Sequence, residues 1–300
     1  MVVRDGIIYL ASEEPSGPDA QGFVATIWAI SPSKQVTPLA RDHSASYYLV
    51  ADDTPLYWSN LGRVESLPDY TRHDASIMKV ARSGGVPEVL LAQSSVGHSD
   101  LFRATVLDGN WLYFADLVSD VSVNRIATSG GTPETLAQDD HQPTSVRVFA
   151  AALAVHGDDL YWVDVFGGVV TMPKNGGDRR YRVRAPGDGL GAMLAIDERT
   201  IYFSALGSTD VPAPLDVLMT PLLGGGVGSL VSNVGSFSYT FVVIRSHAYY
   251  LGSDGLTNAL YQVPIAGGTA TKLATTSVYA VDDGHVYWAD AEGRVYKMSM

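Results

Sequence analysis

The sequence predicts an all-β protein, a β-propeller of seven blades, on three observations. One short strand motif recurs, its recurrences are evenly spaced, and glycine pairs punctuate them at a constant place. The motif is an apolar residue followed by Tyr and commonly a second aromatic: Ile8-Tyr9, Leu56-Tyr57-Trp58, Leu112-Tyr113-Phe114, Leu160-Tyr161-Trp162, Ile201-Tyr202-Phe203, Ala248-Tyr249-Tyr250 and Val286-Tyr287-Trp288. Tyr9 to Tyr287 spans 278 residues over six intervals, about 46 each. Repeats of roughly 40–50 residues holding several strands are the mark of propeller blades, which bury both faces of each sheet by stacking on neighbours.

Each repeat reads as strands a, b, c and d. Strand a often ends in an Asp five residues before the Tyr, as at Asp52, Asp108, Asp197 and Asp282. The aromatic motif is strand b, and its rings are expected to pack between blades because Tyr and Trp bury large areas. Strand c follows, as in Ile77-Met78-Lys79-Val80 and Val295-Tyr296-Lys297-Met298. The Gly pairs 84–85, 130–131, 176–177, 224–225 and 267–268 then supply the positive φ of a tight turn into a short strand d, such as Thr135-Leu136-Ala137. The first repeat replaces its Gly pair with Ser31-Pro32-Ser33-Lys34. The seventh stops at Met300 after strand c, so the last blade is expected to lack its outer strand in this chain, either because an upstream segment supplies it or because that blade has three strands. No linker or composition break interrupts the repeats, and residues 1–300 read as one domain.

Composition bounds the partners. The net charge is -12, which disfavours nucleic acid and anionic membrane surfaces and suits cations, basic partners or neutral ligands such as sugars. The chain has no cysteine, which removes disulfides, thiolate chemistry and Cys-ligated zinc. No apolar run approaches the roughly 20 residues of a membrane span, so membrane insertion is not expected. Met1 is followed almost at once by the first repeat, which fits either a cytoplasmic protein or a secreted or periplasmic mature form.

The repeats resemble the YWTD and NHL families of β-propellers and related bacterial propellers. Leu160-Tyr161-Trp162-Val163-Asp164 and Val286-Tyr287-Trp288-Ala289-Asp290 look like the YWTD signature with Thr replaced, and Gly130-Gly131-Thr132-Pro133-Glu134-Thr135-Leu136-Ala137 looks like the closing turn of the bacterial versions. YWTD propellers commonly have six blades, so six is the alternative to seven. The resemblance implies a protein-binding module, and similar scaffolds carry hydrolases and lyases. It also implies that the d-to-a and b-to-c connections share one face, at the mouth of a central channel.

Candidate site residues group by connection. His43, His98 and His141 fall in consecutive d-to-a connections, beside Asp42, Asp100, Asp139 and Asp140. Neutral imidazoles and carboxylates suit acid–base chemistry or a divalent ion such as Zn²⁺ or Ca²⁺, and the same residues also read as solvated loop or turn positions. Tyr47, Tyr48, Phe102 and Tyr239 lie near the start of strand a, with Arg103 beside Phe102. They fit either stacking on a flat ligand or packing between blades. The b-to-c connection is long in repeat two, where Tyr to Gly pair is 27 residues against 15 in repeat four. It carries Glu65, Asp69, Tyr70, Arg72, His73 and Asp74, a ligand wall or a solvated loop. Arg179, Arg180, Arg182 and Arg184 flank Tyr181 on strand d of repeat four, where charge protects a sheet edge or meets an acidic partner. No nucleophile elbow, zinc-protease or phosphate-loop motif stands in the right context.

These readings favour a binding module that grips a protein, peptide or saccharide with its loop face. The alternative is a metal-assisted hydrolase or lyase at the channel mouth. A third reading makes the ring a docking surface in a larger assembly.

Overall fold

A computed structural model describes residues 1–15, 23–42, 46–60, 63–66, 71–73, 75–92, 103–116, 122–139, 150–164, 167–184, 191, 193–206, 215–234, 240–253 and 257–300. Among them, all regular structure is β-strand. Two compact units, Met1–Gln138 and Asp139–Met300, divide the strands.

The first unit holds three blades. Blade one is β1 (Val2–Arg4), β2 (Ile7–Pro15), β3 (Phe23–Ile30) and β4 (Val36–Asp42). Blade two is β5 (Ser46–Ala51), β6 (Pro55–Asn60), β9 (Ser76–Ala81) and β10 (Glu88–Ala92), with a hairpin of β7 (Arg63–Ser66) and β8 (Thr71–His73) inserted between its second and third strands. The long connection of repeat two is thus partly a small two-stranded sheet. Blade three is β11 (Arg103–Asp108), β12 (Trp111–Asp116), β13 (Ser122–Ala127) and β14 (Glu134–Gln138).

The second unit holds four. Blade four is β15 (Ala150–His156), β16 (Asp159–Asp164), β17 (Val169–Pro173) and β18 (Arg180–Val183). Blade five is β19 (Leu194–Ile196), β20 (Thr200–Leu206), β21 (Leu215–Pro221) and β22 (Gly228–Val231), and blade six is β23 (Phe241–Ile244), β24 (His247–Ser253), β25 (Asn258–Pro264) and β26 (Thr271–Thr275). Blade seven is β27 (Tyr279–Val281), β28 (His285–Ala289) and β29 (Val295–Ser299), with three strands as expected. Blades one to six are antiparallel meanders in the order a-b-c-d, and blade seven in the order a-b-c.

The strand b motif works by simple alternation. Successive side chains on a strand point to opposite faces, so the Tyr and the aromatic after it serve different neighbours. Tyr57 packs with Leu112 and Phe114 of blade three, whereas Trp58 packs with Tyr9 and Ile27 of blade one. In the second unit Tyr202 packs with Phe241 and Tyr250 of blade six, and Phe203 with Tyr161 and Val163 of blade four. One dipeptide therefore fills two interfaces.

The outer strands carry a second repeated device. In each c–d pair the ladder skips one residue of strand d, at Leu39, Leu90, Leu136, Arg182, Leu230 and Leu273. Such a bulge releases a side chain from the sheet. Leu39 enters the core cluster shared with blade two, Leu90 that shared with blade three, and Leu230 that shared with blade six. The exception is Arg182, whose Nη2 donates to the Leu222 carbonyl of blade five while its buried Nε has no acceptor among the described residues. The Arg run lies on the outer strand as expected, and Arg182 sits there where the other described outer strands place leucine. Arg184 instead stacks over the Tyr181 ring, at 3.9 Å.

The c–d turns use glycine as expected. Gly84 and Gly85 hold φ of 88° and 143°, and the other four pairs repeat this conformation. In blade one Lys34 takes the left-handed position at φ 67°.

Candidate binding site at the start of the inner strands

The a–b turns show why Asp stands five residues before the Tyr. Asp197 Oδ1 accepts the N–H groups of Arg199 and Thr200, both at 2.8 Å, and Oδ2 accepts the Tyr202 hydroxyl at 2.9 Å. Asp282 does the same with Gly284, His285 and Tyr287. One carboxylate thus closes the turn and anchors the interblade ring. Desolvation and the Asp partner together push Tyr202 and Tyr287 up to about 12. Burial pulls Asp282 upward, but the Gly284 N–H, the Tyr287 hydroxyl and the His285 N–H hold it below the usual carboxylate value. In the first unit Arg82 takes a comparable part: its Nε donates to the Tyr9 hydroxyl at 2.8 Å, and its Nη2 pairs with Asp5 at 2.9 Å.

The Asp two residues after the aromatic pair Tyr161-Trp162 or Tyr287-Trp288 caps the b-to-c turn. Asp164, 0 % exposed, accepts the Gly168 N–H and the Tyr181 hydroxyl, each at 2.7 Å. Asp290 accepts the N–H groups of Glu292 and Arg294, the Arg294 guanidinium and the Tyr296 hydroxyl. Despite some desolvation, these donors lower it to about 2.

The start of strand a is built differently. In blade two Tyr47 opposes Ser59 and Val50 opposes Tyr57, so Tyr48 and Leu49 together face Trp58. In blade three Arg103 opposes Ala115 and Val106 opposes Tyr113, so Ala104 and Thr105 face Phe114. The two bulges share one conformation: Tyr48 and Ala104 hold φ of 52° and 53°. The left-handed region costs a residue with a Cβ about 1–2 kcal/mol, and neither position is Gly. The bulges lie on adjacent inner strands, since β5 packs beside β11. Each also has a buried polar atom with no partner among the described residues, Trp58 Nε1 at the first and Thr105 Oγ1 at the second. The inner strand of blade four, β15, is also bulged, between Ala150 and Ala152, whereas β19, β23 and β27 pair without a break.

Of the residues expected from sequence, Tyr47 and Tyr48 lie in β5, Arg103 opens β11 and His73 closes β8 opposite Arg63. Asp139 follows β14 and is half-buried. His43, Tyr70, His98, Asp100, Phe102, His141 and Tyr239 lie outside the described residues, and with them the metal reading that joined the three histidines. Among the described residues no group of three or more His, Asp or Glu is placed to hold a metal ion, and no helix is long and apolar enough to cross a membrane. His247 and His285 open strands β24 and β28 at the turn end, as their a-to-b positions imply. The sequence reading picked Tyr48 for its ring and missed its backbone. Nothing in a Tyr or an Ala announces a positive φ.

No protein-family model matches the chain, and no curated protein matches it in sequence. Solved structures do match. The nidogen/laminin complex aligns at 13 % identity and a TM-score of 0.54, over 76 % of this chain and 88 % of that one. TolB from Acinetobacter baumannii aligns at 12 % and 0.57, over 98 % and 77 %. Tricorn protease aligns at 10 % and 0.61 over 99 % of this chain, which spans 34 % of the protease chain. At these identities the likeness is one of fold, and the strand inventory agrees with it: the chain is a seven-bladed β-propeller.

Proposed function

We propose that this propeller is a binding module that grips a protein, peptide or saccharide at the start of its inner strands, with the bulges of blades two and three as a rigid seat. The observation that carries the reading is the paired strain at Tyr48 and Ala104. Strained backbone at equivalent places in consecutive blades is not needed for stacking, because β23 and β27 are regular. Bulges commonly re-aim side chains beside binding sites. Tyr48 adds a large amphipathic ring, the residue type enriched at binding hot spots. The net charge favours neutral or basic ligands. That a protein of this fold is found in a complex, nidogen with laminin, supports a protein ligand.

We also infer a YWTD-like repeat, on the turn-capping role shared by Asp164 and Asp290, and a single domain over residues 1–300. One cooperative calorimetric transition is the expected sign of the latter, and two separable transitions overturn it. The binding reading is tested with glycan and peptide arrays, followed by titration of any hit. Tyr48→Ala is expected to weaken that hit at least tenfold while the far-ultraviolet spectrum stays native. Unchanged affinity removes the inner-strand seat.

A further inference from the structure

The rim where blade four meets blade five departs from the repeat at four positions. Two lie on strand d of blade four. In each four-stranded blade the strand b tyrosine opposes a strand c residue, which in turn opposes one on strand d. That outer residue is Thr37, Glu88, Glu134, Gly228 or Thr271 in the other blades, and Arg180 in blade four. In blades two and three it is an acid paired with a cation on strand c: Lys79 meets Glu88 at 3.3 Å, and Arg125 meets Glu134 at 2.7 Å. In blade four the strand c residue is Thr171, so exposed Arg180 has no carboxylate across the ladder. The second departure is Arg182, a cation where the other outer strands release a leucine.

The other two lie on blade five. The N–H two residues before the glycine pair bonds back to the a–b turn. The carbonyl that accepts it belongs to Thr54, Asn110, Asp158 or Ser246 in other blades, and here to Arg199, with the Leu222 N–H donating at 2.7 Å. The residue directly before the glycine pair is Ser83, Ser129, Asn175 or Ala266 elsewhere. In blade five it is Leu223, 92 % exposed.

These departures converge on one dipeptide. Arg182 Nη2 donates to the Leu222 carbonyl and so ties the outer strand of blade four to the turn of blade five. Leu222 packs against the core cluster that holds Tyr161, Val169 and Phe203, and Leu223 beside it stands in solvent. Arg199 joins the same dipeptide through its backbone. Asp178 and Glu198 are exposed carboxylates of the adjoining turns, fewer than the arginines around them. A single exposed leucine is ordinary. An exposed leucine that coincides with three cations, each at a place where the compared blades hold none, is not required for stacking.

We propose that this rim binds an acidic segment of a partner protein, with carboxylates at Arg180 and Arg199 and one large apolar side chain against Leu223. The chain carries a net charge of -12, so a local excess of arginine gives this surface the opposite sign to the whole. Such complementarity selects the partner and speeds encounter. Guanidinium groups suit carboxylates because their planar fork can donate two parallel bonds. Arg182 positions the turn, and Leu223 discriminates an acidic segment with an apolar residue from one without.

The probe is fluorescein-labelled Asp-Glu-Asp-Leu-Glu-Asp, with a matched peptide carrying Ser for Leu. Anisotropy against the whole chain is expected to show saturable binding of the Leu peptide that weakens as salt rises. The Ser peptide should bind about fivefold more weakly. Arg180→Glu, the residue of blades two and three, should weaken the Leu peptide about tenfold. Leu223→Ser should weaken it about fivefold and abolish the preference for Leu over Ser. Both substitutions place at an exposed position a residue that other blades carry there, so the far-ultraviolet spectrum should stay native. Absence of saturable binding overturns the proposal, as does equal binding of the two peptides or an affinity unmoved by both substitutions. So does a dimer in sedimentation that Leu223→Ser disperses, because a second copy is then the occupant. These outcomes leave the inner-strand seat untouched, since Tyr48 lies in another blade.

Discussion

The two ends of the blades follow different rules. At the end where a turns into b and c into d, the same devices return. Asp197 and Asp282 close their turns and hold a tyrosine, glycine pairs reverse the chain, and a leucine leaves the outer ladder to fill the next interface. At the end where strand a begins, the blades diverge. Blade two adds the hairpin β7–β8, and β5 and β11 carry strained bulges that β23 and β27 lack. What every blade repeats is what stacking requires. The left-handed non-glycine bulge residues, described in blades two and three, are not part of that shared frame.

Substitutions can sharpen that division. The largest effect is expected at the buried cap: Asp164→Ala should cost about 3 kcal/mol, because it strands the Gly168 N–H and the Tyr181 hydroxyl against a methyl group. Asp290→Ala, at the same repeat position but only half-buried, should lower the denaturation midpoint less. Equal losses for the two would show that burial does not set the strength of this cap.

A smaller, opposite effect is expected at the odd bulge. Arg182→Leu restores the residue of the other five outer strands and removes a desolvated Nε, so it should stabilise by about 1 kcal/mol. A lower Tm than the parent chain would mean that the bond to Leu222 outweighs both gains. At the inner strands, Ala104→Gly should stabilise by about 0.5–1 kcal/mol by relieving the left-handed alanine. Val243→Gly in regular β23 should destabilise. If both substitutions destabilise, the strain argument behind the ligand seat fails.

The gentlest effect is on pH dependence at the turn end. Asp290, at about 2, lies below its ordinary value of 3.8, and Asp282 is also lowered. Groups lowered by folding stabilise fully above about pH 4, and that contribution is lost as pH falls through their folded values, about 2 for Asp290. Tyr202 and Tyr287 are raised from 10 to about 12, so their contribution is present below pH 10 and lost as pH rises through 12. Denaturation midpoints measured across pH should therefore fall at both extremes. Asp282→Asn should flatten the acid limb, and an unchanged limb would remove the cap from the account.

Much of this was legible before any coordinates. The Tyr-aromatic dipeptide predicted strand b and its packing between blades, and Tyr57 with Trp58 fulfils both parts, each ring at a different interface. The glycine pairs predicted their turns, and Asp197 and Asp282 were visible as a fixed offset whose purpose only the turn geometry supplies. The outer leucines were also there to be read, in register after each glycine turn, with Arg182 as the one exception. Local chemistry reaches that far because each device acts within a few residues or between repeats that look alike.

The sequence by itself thus determined the blade: its period, strand order, turns and apolar faces. It did so because alternation and turn chemistry are short-range properties that a repeat states several times over. Only the tertiary structure decided that Arg182 reaches the Leu222 carbonyl and that Tyr48 and Ala104 share one strained conformation. Those are matters of strand register and of what lies across the sheet, and no single residue encodes them.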